Sequence, residues 1–296
     1  MGRWVRAGLG IGAGSVAVPL GIGWFYANVL LDTSMRPLFP ETVRDSAADT
    51  VTLAASKLAL QSGTWGLRWP EGVAVIGPVL ESDRSRVVRP LLSGPRPPIG
   101  TSAALDACTF DPDPSAHGLA FTEVEIAAPV GPCPAWFVPA ENDAAGTWAL
   151  LVHGRGGSRR DGLRVLPALH ALDLPVLALS YRNDPEAPAS PDGRYHLGDT
   201  EWLDVEAGIE HALAHGAERV VLVGWSMGAA IIGALLDRSA LASTVAALVW
   251  DAPLLDWRAT LRQQARIRRI PPALTELTTG ITHRRIGIDF DRFDLG

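Results

Sequence analysis

Apolar runs of different lengths divide this chain into three regions. Residues 7–31, AGLGIGAGSVAVPLGIGWFYANVLL, contain no charged side chain. Since about 20 apolar residues form a helix long enough to cross the hydrocarbon core of a membrane, the run predicts a transmembrane anchor. Pro19 does not exclude this, because spanning helices tolerate proline. Trp4 at one end and Trp24 and Tyr26 at the other are placed as interfacial aromatics are.

Charges flanking the apolar run predict its orientation. Arg3 and Arg6 precede it and Asp32 follows it, so the positive-inside bias places residues 1–6 in the cytoplasm and the remaining chain outside. A cleaved signal peptide is the alternative, but its apolar region usually has about 7–15 residues. We therefore expect an uncleaved, single-pass anchor.

The second region, residues 32–120, mixes short patterns. The spacing of PETVRDSAADTVTLAASKLALQSG predicts a helix over residues 40–63 that ends at Ser62-Gly63. GVAVIGPVL at 72–80 and SRVVRPLL at 85–92 predict short strands. We interpret the region as a membrane-proximal extension that packs on the main domain.

The third region has a regular strand–helix pattern. FTEVEIAAP and PAWFVPA, within residues 121–140, predict an antiparallel pair at a sheet edge. Four apolar runs separated by helical stretches follow: WALLVHG, PVLALSY, RVVLVGW and VAALVWDAP. Such runs predict a mostly parallel sheet with helices on both faces, whose site lies at the carboxyl ends of the strands. Three of the runs end at candidate residues, namely His153-Gly154, Ser226 and Asp251.

Ser226 lies in the sequence Gly-Trp-Ser-Met-Gly, after a predicted buried strand and before a helix rich in small residues. Gly224 and Gly228 permit a sharp strand-to-helix turn that raises the serine hydroxyl above the sheet. The helix dipole and the amides that follow then point at the hydroxyl. The pattern predicts a nucleophile, although an incidental serine in such a helix is the alternative.

The segment HGRGGSRRDGLR, which begins at His153, follows another predicted strand. Glycines let backbone amides approach a developing oxyanion closely. We therefore expect the amides of Arg155 and Met227 to form an oxyanion hole, and His153 and Gly154 to support the turn. An ordinary glycine-rich turn remains the alternative.

Through HGRGGS, GWSMGA and the strand order, residues 121–296 resemble the α/β-hydrolase superfamily of serine hydrolases. More narrowly, SYRND, SPDGRYHLGDTEWLDVEAG and DAPLLDW are similar to a bacterial group of membrane-anchored or exported hydrolases. The resemblance implies a Ser–His–acid triad with Ser226 as the nucleophile, and a lid-like segment over residues 256–296.

The triad partners of Ser226 are not evident in the sequence. In this superfamily the acid and then the histidine follow the serine, and His283 is the sole histidine after Ser226. The last strands are expected to be missing, so the hydrolase domain would be incomplete at its carboxyl end and weak or inactive. Asp251 is a candidate acid or fixes its own turn. His283 is a candidate base or an exposed polar residue, and His196 stays open because geometry, not chain order, defines a triad.

Composition narrows the chemistry. Hydrophobic residues make up 47% of the chain and charged residues 20%, which is typical of a folded protein. The net charge of −6 argues against non-specific binding to nucleic acid. Cys108 and Cys133 lack metal-site spacing and either pair or remain unpaired. We expect no metal and no cofactor, and HGRGGS lacks the spacing of a dinucleotide-binding loop.

Two functional hypotheses follow. The first is a membrane-anchored serine hydrolase that acts on the ester or amide carbonyl of a small or lipid-like substrate. The arginines of the lid-like segment either attract an acidic substrate or anionic lipid or form a solvated face. The second is a catalytically dead α/β-hydrolase-like module that binds or scaffolds at the membrane, because the triad lacks an evident base.

Overall fold

The structure, a computed structural model, describes residues 4–34, 38–106, 110–142 and 146–293. The chain divides into two compact units. One comprises Met1–Ser34, Phe121–Gly162 and Ala168–Gly296, and the other comprises Met35–Ala120 with Leu163–Pro167.

The smaller unit is built from seven antiparallel strands in the order β2-β1-β7-β3-β4-β6-β5. The strands are β1 (Glu41–Ser46), β2 (Thr50–Ala54), β3 (Trp65–Trp69), β4 (Gly72–Ile76), β5 (Glu81–Ser82), β6 (Arg86–Ser93) and β7 (Ser102–Asp106). Since β2 also pairs with β6, the sheet closes on itself. The strands predicted within residues 72–80 and 85–92 are confirmed as β4 and β6.

The predicted helix over residues 40–63 is wrong, because residues 41–54 of that segment form β1 and β2, an antiparallel pair. The two strands bring Val43, Val51 and Leu53 into one apolar cluster, where each is fully buried. Valine and threonine favour strands. Their preference and the burial in this cluster outweigh the helical spacing of residues 40–63.

The larger unit contains a six-stranded sheet in the order β13-β12-β10-β11-β9-β8. Its strands are β8 (Thr122–Ala128), β9 (Gly131–Val138), β10 (Thr147–Val152), β11 (Val176–Leu179), β12 (Arg219–Trp225) and β13 (Val245–Asp251). The neighbouring pairs among β10, β11, β12 and β13 are parallel, whereas β8 and β9 form the predicted antiparallel pair at one edge. The predicted α/β architecture is confirmed.

Six α-helices are described. They are α1 (Trp4–Leu31), α2 (Leu166–Ala171), α3 (Trp202–Ala214), α4 (Met227–Arg238), α5 (Trp257–Ile267) and α6 (Pro272–Ile286). In α1, Ala27 and Leu31 are buried, and the Cα of Gly23 lies against Leu277 and Ile281 of α6. The carboxyl end of α1 is therefore packed into the larger unit. Among the residues that the structure describes, there is no helix of the length and apolarity needed to cross a membrane.

Burial differs between the central strands and β13. Leu150, Leu177 and Leu222, on β10, β11 and β12, are fully buried, as expected for parallel strands covered on both faces. By contrast, Leu248 and Val249 of β13 are 37% and 47% exposed. In the described part of the chain β13 pairs only with β12, so this apolar strand forms an exposed edge of the sheet.

Candidate active site

Ser226 is the single residue between the end of β12 and the start of α4. Its backbone has φ 48° and ψ −115°, a conformation that non-glycine residues adopt only under strain. Ser226 is exposed, whereas its neighbours Trp225 and Met227 are buried. The turn therefore lifts the serine out of the core, as the sequence pattern predicts.

The two glycines of the motif allow this turn. A Cβ on Gly228 would lie 2.1 Å from the carbonyl oxygen of Val152, which is backbone of β10. A Cβ on Gly224 would lie 2.8 Å from the side chain of Ile232 and 3.2 Å from the amide nitrogen of Ala229. Helix α4 can thus approach the sheet closely only because both positions lack a side chain.

The turn that begins at His153 lies against the serine. A Cβ on Gly154 would be 3.1 Å from the Cβ of Ser226 and 3.2 Å from the carbonyl oxygen of Trp225. The parallel pairing of β10 with β12 explains this meeting, because the two strands end side by side. Met227 and Gly154, the residue before Arg155, therefore flank the serine.

His153 is buried, with 1% of its side chain exposed. Its Nε2 lies 2.8 Å from Oδ2 of Asp184, and its Nδ1 lies 2.9 Å from the carbonyl oxygen of Gly154. Burial by itself lowers the pKa of the imidazole, but the charge and hydrogen bond of Asp184 outweigh burial and raise the pKa above its ordinary value. His153 is therefore tied into the turn and points away from solvent.

Tyr181 and Asp184 were missed by the sequence analysis. The hydroxyl of Tyr181 donates to the carbonyl oxygens of His153 and Gly154, at 3.0 and 3.2 Å. Its ring stacks on the imidazole of His153 with centroids 4.3 Å apart. The segment SYRND after β11 contains both residues, so their signal was polar residues at the carboxyl end of a buried strand.

The candidate acid Asp251 lies beside the serine. It is paired with Trp225 in the register of β12 and β13, and its carbonyl oxygen accepts a hydrogen bond of 3.3 Å from the amide of Ser226. Its side chain is exposed at the same end of the sheet. A role as the acid stays a prediction.

The histidines weighed as bases make other contacts. His283 is exposed on α6, and its Nδ1 lies 2.6 Å from the carbonyl oxygen of Ile288. Nε2 of His196 lies 3.2 Å from Oδ1 of Asp192. Across the described residues, no histidine nitrogen is within hydrogen-bond distance of the Ser226 hydroxyl. The structure thus brings Ser226 together with the turn at Gly154 but not with a base.

The carboxyl end of α1 also contacts this part of the unit. Nη1 of Arg155 lies 3.4 Å from the carbonyl oxygen of Val29, and the amide of Tyr195 donates to the carbonyl oxygen of Leu31 at 3.1 Å. An open groove of about 510 Å³ lies where α1 meets α6, and Phe25, Val29, Arg194 and Arg285 are among its lining residues.

Two sequence predictions remain open. Cys133 is buried. Cys108, with which it either pairs or does not, lies outside the described residues, so both alternatives stay open. Over the described ranges, no three histidine, cysteine, aspartate or glutamate side chains are grouped as metal ligands would be.

Comparison with known families supports the fold of the larger unit. The model of the Alpha/beta hydrolase family matches residues 149–294. This segment belongs to the α/β-hydrolase superfamily. The α/β-hydrolase segment is preceded by a match of residues 42–106 to a Domain of unknown function (DUF8805), which covers most of the smaller unit. No curated protein matches the chain.

Several solved structures are similar to the α/β-hydrolase unit at low identity. An esterase of Pyrococcus furiosus is 20% identical, with 59% of this chain and 65% of that chain covered and a TM-score of 0.46. A lidless α/β serine hydrolase of Xanthomonas campestris is 26% identical over 46% and 62% of the two chains, with a TM-score of 0.38. The carboxylesterase EstE1, cloned from a metagenomic library, is 19% identical over 59% and 62%, with a TM-score of 0.43. The chain thus spans about 65% of the length of the first of these proteins.

Proposed function

We propose that this α/β-hydrolase unit is a serine hydrolase in which Ser226 attacks the carbonyl carbon of an ester or amide. The observation that carries the proposal is the strained, exposed turn at Ser226 with Gly154 packed against it. Strain of this kind costs roughly 1–3 kcal/mol and persists at functional sites where the surrounding structure enforces it. If Ser226 had no function, nothing would explain why the fold maintains this strain.

The chemistry follows from the groups around the serine. As Ser226 Oγ adds to the carbonyl carbon, negative charge develops on the carbonyl oxygen of the substrate. The amide of Met227 is at the amino end of α4, where the helix dipole favours negative charge. Together with the amide of Arg155 it would stabilise the oxyanion, and such preorganised donors usually supply the largest part of the catalysis.

The proton of Ser226 has no evident acceptor in the described residues, since no histidine nitrogen reaches the hydroxyl. A protonated hydroxyl is a weak nucleophile. We therefore expect slow turnover, and we propose Asp251 as the acid of the site.

A lipid-like ester is the substrate class that the groove beside α1 supports. Phe25 and Val29 supply apolar surface there, and Arg285 supplies a cation. Asp32 and Asp192 line the groove together with Arg194 and Arg285, so its charges balance and its apolar surface is the part that an acyl chain would contact. Small-molecule esters remain within the proposal because the groove is not itself lined by Ser226.

Covalent labelling tests the nucleophile without requiring turnover. A fluorophosphonate should modify the chain once, and peptide mapping should place the label on Ser226. The label should be lost in Ser226→Ala and retained in Ser239→Ala. In the wild-type chain the hydroxyl of Ser239, at the other end of α4, donates to Glu206. Equal labelling of Ser226→Ala would show that another residue reacts and would contradict the assignment.

A catalytically dead binding or scaffold module is the second candidate. The exposed apolar edge strand β13 and the lack of a histidine at Ser226 favour it. Under this alternative the wild-type chain would not react with the fluorophosphonate even at high concentration, so the same experiment separates the two functions.

We also propose that α1 attaches the chain to a membrane through its exposed apolar side chains. Val18, Phe25 and Val29 of α1 are exposed, Phe25 by 60%, and apolar surface of this kind favours a lipid environment. The full chain should float with liposomes, whereas a variant with Val18, Ile22 and Phe25 changed to serine should remain in the soluble fraction. Equal flotation of both would contradict attachment through this surface.

A further inference from the structure

The turn between His153 and Gly154 is held from its buried side by three residues that the proposed chemistry does not use. Both ring nitrogens of His153 face oxygen atoms, Nδ1 the carbonyl of Gly154 and Nε2 the carboxylate of Asp184. A carbonyl oxygen and an ionised carboxylate only accept hydrogen bonds. A neutral imidazole carries one hydrogen, so one of these two contacts would lack a proton. The two contacts together therefore favour a ring with a hydrogen on each nitrogen.

The second contact of Asp184 supports an ionised carboxylate. Its Oδ2 also accepts a hydrogen bond of 2.9 Å from the amide of Tyr181. Two donors on one buried oxygen stabilise the charged form of a carboxylate. His153 and Asp184 thus form a buried imidazolium–carboxylate pair, in which each charge compensates the other.

Tyr181, which follows the neighbouring strand β11, completes the arrangement. Its hydroxyl donates to both carbonyl oxygens of the turn, and its ring covers the face of the imidazole. The carbonyl oxygen of Gly154 consequently receives hydrogen bonds from Tyr181 and from Nδ1 of His153. The amide of Gly157 also donates to this oxygen, at 3.1 Å, so the turn's own backbone and the two side chains together fix the orientation of the following peptide group.

Peptide planarity transmits that orientation to the catalytic side. In a trans peptide the C=O of one residue and the N–H of the next point in opposite directions. With the Gly154 carbonyl held against Tyr181 and His153, the N–H of Arg155 points away from that buried network. The Cα of Gly154 lies against Ser226, so the peptide group between Gly154 and Arg155 borders the serine.

We propose that His153, Asp184 and Tyr181 are positioning residues of the oxyanion hole: they hold the carbonyls of the turn so that the amide of Arg155 faces the reacting carbonyl. The inference rests on the proposed function for the role of that amide, but not for the protonation of the ring. It assigns His153 a permanent positive charge and no part in proton transfer.

The charged groups around the imidazole act in a consistent direction. Burial lowers the pKa of His153, whereas Asp184 and the more distant Asp161 raise it, and the net result is a raised pKa. Burial and the nearby carboxylates also raise the pKa of Tyr181 well above its ordinary value, so its hydroxyl keeps the proton that it donates. The raised pKa of His153 thus favours the imidazolium beside the ionised Asp184.

Nuclear magnetic resonance of the histidine ring nitrogens tests the charge directly. With ¹⁵N-labelled histidine, His153 should show two protonated nitrogens at pH 7 in the wild-type chain, and this pattern should disappear in Asp184→Asn. His283, which is exposed, serves as the internal reference for an accessible ring. A neutral His153 ring in the wild-type chain at pH 6 would overturn the proposal, whatever the chain does to esters.

The rate of fluorophosphonate labelling tests the positioning role. Tyr181→Phe keeps the stacked ring and removes only the hydroxyl, so labelling of Ser226 should slow about tenfold or more through misplacement of the amide. Asp204→Asn breaks another buried pair, that of Asp204 with Arg182, and should leave the labelling rate of the folded chain within about twofold. Unchanged labelling in Tyr181→Phe would overturn the positioning role, while absent labelling in the wild-type chain would instead contradict the proposed function.

Discussion

Replacing Gly228 by alanine is expected to destabilise the α/β-hydrolase unit by roughly 4 kcal/mol or more, at the upper end of single substitutions. The added Cβ would lie 2.1 Å from the carbonyl oxygen of Val152 and 2.8 Å from that of His153. Both are backbone atoms at the carboxyl end of β10, so no side-chain rotation relieves the contact. Either α4 moves away from the sheet or the turn at His153 shifts, and both changes also separate Ser226 from Gly154.

Urea unfolding measures this effect, and Gly280→Ala is the matched control. Gly280 lies in the middle of α6, and a Cβ there would meet no atom within 4 Å. Alanine in a helix is more favourable than glycine by about 0.5–1 kcal/mol, so the control should be slightly more stable than the wild-type chain. An unfolding midpoint of Gly228→Ala equal to that of the wild-type chain would contradict the close approach of α4 to β10.

The elements of the α/β-hydrolase unit could be predicted because local and tertiary signals agree there. Strands β10 and β12 are apolar at nearly every position, as expected for strands covered on both faces. Gly224, Ser226 and Gly228 form a motif whose spacing already encodes the turn. In such segments, the sequence pattern and the final packing favour the same structure.

Residues 40–63 show why the smaller unit was predicted less well. Val51 and Leu53 are two residues apart, which is the period of a strand, but they join Val43 in one cluster only after β2 pairs with β1 on one side and β6 on the other. Strand β6 is more than 30 residues away in sequence, so a local pattern contains no information on that pairing. The closed sheet is a tertiary outcome that the spacing of apolar residues does not encode.

The support of the oxyanion turn was missed for a similar reason. His153 follows β10, whereas Tyr181 and Asp184 follow β11, and the two strands become neighbours only through their parallel pairing. The carboxyl ends of parallel strands meet at one edge, which predicts proximity of these segments but not which side chains pair. The pairing depends on burial, because a histidine turned into the core needs hydrogen-bond partners for both ring nitrogens. Asp184 is the carboxylate within reach.

Replacing Ser226 by glycine should make the chain more stable and unreactive at once. A residue with φ 48° and ψ −115° carries a strain that glycine lacks, so Ser226→Gly should raise the free energy of unfolding by about 1–3 kcal/mol. Alanine retains the Cβ and hence the strain. Ser226→Ala should therefore lose fluorophosphonate labelling as completely as Ser226→Gly but gain little stability.

Urea unfolding of the three chains, with labelling measured on the same samples, separates strain from the loss of a hydroxyl. If Ser226→Ala were stabilised as much as Ser226→Gly, desolvation of the hydroxyl and not backbone strain would be the cost of the turn. The expected order, in which only Ser226→Gly is more stable than the wild-type chain, means that exposing a side chain at this position lowers the stability of the fold. A binding module gains nothing from such a cost, whereas a nucleophile must be raised above the sheet to reach a carbonyl carbon, and this difference favours the hydrolase.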